Sequence, residues 1–486
     1  MRTLIQGGYV VAFDGRGHRI LREGVVVFED DTVIYVGKSY RGAVDRVIDA
    51  AGKLVSPGFI NIHAIASIDI THLRLDGPGG GLRVSRETIV EDKRDLDLRG
   101  EDLRVSALFC LAQLLKGGAT TVVPITAMAP SRWEAPTAQA KTLAETAGEL
   151  GARAYVSHPY RSAPRYWDED GAVHFHWDED AGMAGLDRAL QFVEEFEGAC
   201  DGRIRTMLFP YQFDTCSPTL LRRTKEAARA RGLIIHMHTA QSLYEFHESR
   251  RRYGKTPVEY LYDTRFLDEQ VILTHVIFTT SNPVTGYPAR DHRDLEMLVE
   301  TGVTVAHTPW IYSQKGDLLR SFGLYRSNGV NLAIGTDAFP MDMIREMRFA
   351  AIMGKAADEN PAVATARDVY NAATLGGANA LDRDDLGRLK VGAKADIVIV
   401  DLTAPHVGLI DDPIKTLVYF ASQQDIETVF IDGKQVVKAG EIPHLDEKRL
   451  AREANEVNQK QKMAFVEQHP AGLSEDQLFP TSFPVE

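Results

Sequence analysis

Short runs of β-branched and other apolar residues recur along the chain, and what separates them changes from its ends to its middle. In about the first 55 residues, Tyr9-Val10-Val11-Ala12-Phe13, Gly24-Val25-Val26-Val27-Phe28 and Thr32-Val33-Ile34-Tyr35-Val36-Gly37 are divided only by Gly and Asp turns, which predicts antiparallel strands. A matching set stands near the other end, in Asp396-Ile397-Val398-Ile399-Val400-Asp401, Thr428-Val429-Phe430-Ile431-Asp432-Gly433 and Gln435-Val436-Val437. Two strand-rich ends around a long middle predict one small β-sandwich domain, built from residues 1–56 together with 386–445. Residues 446–486 read as a charged helix and a Pro-containing tail, and no chemistry is assigned to them.

Between these ends, over residues 57–385, apolar runs alternate with amphipathic segments such as Ser217 to Arg231 and Asp291 to Glu300, the pattern of parallel βα units. Eight strands are predicted, ending at His63, Ile125, His158, Pro210, His238, His275, His307 and Asp337. Eight such units predict an α/β fold, a (β/α)8 TIM-type barrel, in which the carboxyl ends of the strands face the active site. Six of the eight runs finish on His or Asp. A single histidine taken alone is more simply a satisfied core or surface residue; several at equivalent positions of a repeating unit are not.

Bulk properties narrow the partners. The formal charge of −13 and the lack of a Lys/Arg run argue against nucleic acid or an anionic membrane, since both need a positive field. Cys110, Cys200 and Cys216 have no paired spacing, and no stretch reads as a signal peptide or membrane span. The expectation is a cytoplasmic enzyme, a homo-oligomer, acting on a small molecule. Imidazole and carboxylate suit zinc and similar divalent ions, and three ligands leave an open position for a water whose pKa such an ion brings to about 7. One divalent ion is expected, with zinc the first choice and iron, cobalt or manganese the alternatives.

The motifs resemble the amidohydrolase superfamily, in particular its cytosine-deaminase-like and triazine-chlorohydrolase-like branch, from about residue 3 to about residue 442. Ser56-Pro57-Gly58-Phe59-Ile60-Asn61-Ile62-His63 is similar to the first metal-binding strand, and Ile235-His236-Met237-His238-Thr239-Ala240 to the fifth. Leu273-Thr274-His275, Val305-Ala306-His307-Thr308-Pro309 and Gly335-Thr336-Asp337 resemble the sixth to eighth, and Asn371-Ala372-Ala373-Thr374 with Leu389 to Asp396 the closing signature. The resemblance implies His63, His238 and Asp337 as metal ligands. It also implies that Asp337 carries the proton and that His275 grips substrate or the attacking water.

Departures from the family pattern bear on the reaction. The second histidine of the family's His-x-His is Ile65, so Asn61, two residues before His63 and expected on its face, or His275 is the candidate replacement ligand. An Asn-x-His pair here is reminiscent of phenylurea and thiocarbamate hydrolases. Gln241 stands where the deaminases carry a Glu, and an amide cannot hand over a proton. Tyr211 replaces a frequent His and Tyr312 a frequent Asn. Gln241, Tyr211, His307 and His158 are the expected substrate-binding residues, with His236 supporting the site. His72 and Arg74 are weaker candidates for a substrate's polar end; His174 and His176 read as an exposed loop pair and Gly77–Gly81 as a plain long loop.

The main expectation is hydrolysis of a C–N bond of amide, urea or carbamate type. The alternatives are an aminohydrolase or dechlorinase of an N-heterocycle, and an inactive binding protein that keeps only the barrel.

Overall fold

The structure, a computed structural model, describes residues 1–69, 85, 86, 89, 96–129, 131–288, 291–317, 322–469 and 472–484. His72, Arg74 and the glycine-rich stretch 77–81 lie outside the described residues.

Five strands open the chain: β1 (Arg2–Phe13), β2 (His18–Glu29), β3 (Thr32–Gly37), β4 (Arg46–Asp49) and β5 (Lys53–Pro57). The barrel strands are β6 (Phe59–Ile65), β7 (Ala119–Ile125), β8 (Arg153–Tyr160), β11 (Ile204–Pro210), β12 (Ile234–Thr239), β13 (Val271–His275), β14 (Thr304–His307) and β15 (Asn331–Ile334). A hairpin, β9 (Arg165–Trp167) with β10 (Val173–Phe175), is inserted after β8. Three strands, β16 (Ile397–Asp401), β17 (Ile426–Ile431) and β18 (Lys434–Lys438), follow the barrel.

The eight barrel strands pair in the order β6-β7-β8-β11-β12-β13-β14-β15, all parallel. Closure of β15 on β6 comes just past the last strand: Asp337 N–H donates to the His63 carbonyl at 3.0 Å, and Ile65 N–H donates to the Asp337 carbonyl at 2.6 Å. Gly335 allows the approach, because a Cβ there would stand 2.7 Å from the His63 carbonyl oxygen. These strands are buried on both faces, and their apolar residues are interrupted by buried Thr, His, Asn and Ser side chains. Crossover helices such as Pro218–Arg231, capped by Ser217 and closed by left-handed Gly232, return the chain to the next strand.

Strands from both chain ends form a second eight-stranded sheet, β18-β17-β16-β5-β1-β2-β3, with β4 on β1. Arg153, at the start of β8, fastens this sheet to the barrel. Its guanidinium, 2% exposed, donates to Asp396 at 3.2 Å and to Asp432 at 2.6 Å. The helix Glu447–Glu467 then packs along Gly100–Lys116, pairing Lys460 with Asp102 at 2.8 Å. No helix among the described residues is long and apolar enough to cross a membrane.

Removing one partner of a buried ion pair leaves the other charge uncompensated, at about 3–5 kcal/mol. Arg153→Ala is therefore expected to lower unfolding stability by about that amount, read from the urea midpoint. A midpoint equal to that of the parent would contradict the role of Arg153 as the fastener.

Candidate metal centre

His63, His238 and His275 converge at the carboxyl end of the barrel, each presenting a ring nitrogen within 4.8 Å of the others. Asp337 completes the group: its Oδ1 lies 3.6 Å from His63 Nε2 and its Oδ2 3.8 Å from His275 Nε2. All four side chains are buried.

Each imidazole is oriented by a partner on its other nitrogen. His238 Nδ1 donates to the Tyr211 carbonyl at 2.7 Å, His275 Nδ1 meets Thr308 Oγ1 at 3.0 Å, and His63 Nδ1 meets His236 Nε2 at 3.1 Å. His236 is in turn held by Thr274 Oγ1 at 2.7 Å. Such partners fix the tautomer and aim the free nitrogen inward. His63 Nε2 is buried and makes no hydrogen bond among the described residues. Burial lowers the pKa of His238 to about 3 and that of His275 well below the usual imidazole value. Burial opposes ionisation of Asp337, but the neighbouring imidazoles, His63 Nε2 nearest at 3.6 Å, outweigh it and hold the carboxyl well below its usual range. Imidazole nitrogens from three histidines, two of them held neutral by burial at His238 and His275, around one ionised carboxylate are the donor set a divalent ion needs, so these residues fit a bound metal.

Local backbone geometry accounts for how His275 joins them. On β13, Ile272 belongs to the barrel interior and Thr274 reaches His236, so period-two alternation would turn residue 275 toward the helices. His275 instead adopts φ 81°, followed by Val276 at 46°, and this left-handed turn swings the ring into the site. Asp337 (φ 58°), past the end of β15, and Ala240 (φ 51°), past the end of β12, share the conformation.

Three sequence expectations are corrected. Asn61 does not join the group: its amide donates to Thr336 Oγ1 at 2.8 Å, and its oxygen accepts from the N–H groups of His63 and Thr336 at 3.2 and 3.4 Å. The β6–β7 register shifts between Asn61 and Ala64. This bulge breaks the alternation that would put Asn61 and His63 on one face. His158 faces the helical layer with Val156 and Tyr160, hydrogen-bonding Glu134 at 2.9 Å, whereas Tyr155 lies inside the barrel. His307 also points outward, 5.3 Å from the Phe322 ring, because its neighbour Ala306 takes the interior position.

Tyr211 adjoins the group directly, and Gln241 adjoins it through Tyr312. The Tyr211 ring sits 5.0 Å from that of His238, beneath the Arg161 guanidinium, and Gln241 accepts a hydrogen bond from Tyr312 at 3.3 Å. Thr274, Thr308 and Thr336 were not singled out from the sequence; their adjacency to His275, His307 and Asp337 was the signal available. His174 and His176 lie on and just after the inserted hairpin, with His174 paired to Asp168 at 2.7 Å.

The family model described as amidohydrolase family matches residues 54–436. A 5'-deoxyadenosine deaminase of Methanosarcina mazei is 30% identical over 457 residues, covering 93% of this chain and 96% of the relative. A 5-methylthioadenosine/S-adenosylhomocysteine deaminase of Thermococcus sibiricus is 30% identical, covering 90% of this chain and 94% of the relative. Among solved structures, an adenosine deaminase of Xanthomonas campestris with bound zinc superposes with a TM-score of 0.77 at 23% identity, covering 95% of this chain and 98% of that one. Atrazine chlorohydrolase TrzN of Arthrobacter aurescens, with zinc, gives 0.77 at 22% identity, covering 94% of this chain and 100% of the other.

Protein stripped by chelation and reloaded is expected to retain about one divalent ion per chain, because one three-histidine, one-carboxylate group is one site. His238→Ala is expected to lose it. Two tightly held equivalents in elemental analysis would contradict this count. With the matched motifs and the superposed barrel in agreement, the chain belongs to the amidohydrolase family.

Proposed function

We propose that the protein is a metal-dependent hydrolase that displaces an exocyclic substituent, amino or chloro, from a ring carbon of a small N-heterocycle. The observation that carries this reading is the convergence of His63, His238, His275 and Asp337 at the barrel mouth. It is supported by relatives named as deaminases of adenine nucleosides and by neighbours named as an adenosine deaminase and an atrazine chlorohydrolase. These favour the heterocycle over the amide, urea or carbamate first expected, which rests on Gln241.

The three imidazoles and Asp337 would hold the ion, and zinc is the first choice because it is the ion in the Xanthomonas campestris structure. A divalent ion supplies Lewis acidity and lowers the pKa of the attacking water. Ionised Asp337 accepts a proton from that water and passes it to a departing amine, or to solvent where chloride departs as the anion. Thr308 and the Tyr211 carbonyl keep His275 and His238 in the tautomers that face inward. Tyr211 and Gln241 form the wall against which the ring lies. Since Gln241 delivers no proton, leaving groups that depart unprotonated, chloride first, are expected to react faster than amines.

The zinc-loaded protein, tested on purine, pyrimidine and triazine rings carrying chloro, methoxy or amino groups beside aryl amides and phenylureas, is expected to hydrolyse at least one ring series. Cleavage of amides or ureas with every ring untouched would replace this reading with the other. Asp337→Asn should cut turnover by about 100- to 10,000-fold while much of the metal stays bound. Gln241→Glu, which restores an acid, should raise ammonia release from an amino-substituted ring by about 10-fold or more; chloride displacement should change less.

A further inference from the structure

Gln241 and Tyr312, two of the positions where the pocket departs from the family pattern, touch each other. The Tyr312 hydroxyl donates to Gln241 Oε1 at 3.3 Å. A phenol carries its proton at neutral pH, so the hydroxyl is the donor in this contact. Its ring stands edge-on to His275 at 4.9 Å between centroids, and Lys315 Nζ lies 5.2 Å from the centre of that ring. Tyr312 is 6% exposed, on the short helix Pro309–Ser313 that follows Thr308, the partner of His275.

The backbone of Gln241 is fixed from the other side. Ala240 and Gln241 N–H groups both donate to the Glu245 carboxylate, at 2.7 and 3.1 Å. Ser242 caps the helix Leu243–Tyr253. The side chain of residue 241 thus leaves a rigid turn, and its oxygen is taken by Tyr312.

An amide offers one acceptor oxygen and one donor NH2. With the oxygen engaged, the amide meets a ligand through its NH2. We infer that Gln241, held by Tyr312, is the specificity-determining residue of this pocket: its NH2 donates to an unprotonated ring nitrogen or ring carbonyl oxygen beside the reacting carbon. Tyr312 is then a positioning residue, acting through Gln241 by setting which end of the amide faces the substrate. A carboxylic acid at 241 would protonate such an atom; a clasped amide recognises its lone pair and leaves it unprotonated. The pocket therefore selects rings with an acceptor at that edge and discriminates against analogues in which the nitrogen is replaced by C–H.

This inference rests on the heterocycle reading, and binding of unreactive rings tests it without turnover. The probes are purine riboside against 1-deazapurine riboside, and 2,4-dimethyl-1,3,5-triazine against 2,4-dimethylpyrimidine, titrated calorimetrically into zinc-loaded protein. In at least one pair the aza ring is expected to bind about 10-fold tighter, the upper range for one neutral hydrogen bond. Gln241→Ala should abolish that preference, and Tyr312→Phe should reduce it by freeing the amide to turn. Thermal melts and metal content of both variants establish that each is folded and loaded; if one is not, the other carries the test. A preference unchanged in a folded variant overturns this inference alone, leaving the heterocycle reading standing. Failure of every ring to bind or react overturns both.

Discussion

Asp337 serves two structures at once. Its peptide group closes the barrel, exchanging hydrogen bonds with His63 and Ile65 across the gap between the eighth strand and the first. Its carboxylate, on the same residue, faces His63 and His275. Closure of the sheet and assembly of the donor set are therefore one geometric event, and neither is adjustable without the other. Glycine at 335 and the Asn61 amide, bonded to the N–H groups of His63 and Thr336, keep that seam tight enough for the carboxylate to reach both rings.

A metal binding there would stabilise the closed barrel by mass action, since it favours the state in which the two strand ends meet. The second sheet contributes from the opposite end, where Arg153 ties the start of β8 to Asp396 and Asp432. A site assembled from several strand ends depends on how rigidly those strands are held.

Much of this was legible in the sequence. Parallel strands covered on both faces leave largely apolar runs, and β13 and β14 were readable down to their terminal histidines. What the pattern does not specify is the face each terminal residue takes. His158 and His307 stand an odd number of positions from the interior residues Tyr155 and Ala306, and they turn outward. His275 has the same odd spacing from Ile272 but is rescued by a left-handed backbone, which nothing in its local sequence announces. Asn61 was misplaced for a related reason, since a bulge is invisible to a count of two. The contact between Gln241 and Tyr312 joins residues 71 positions apart in the chain, so it was hidden until the fold brought them together.

Ala240, His275, Val276 and Asp337 each hold a backbone conformation that costs a residue with a side chain of order 1 kcal/mol or more. Selection for thermal endurance alone would erode these positions, with glycine favoured at 240 and 276 and an extended backbone at 275. Their presence together marks the barrel mouth as a place where chemistry has outweighed robustness. Directed evolution toward heat tolerance would accordingly find its harmless gains in the helical layer and the second sheet, and its gains at these four positions would come with slower turnover.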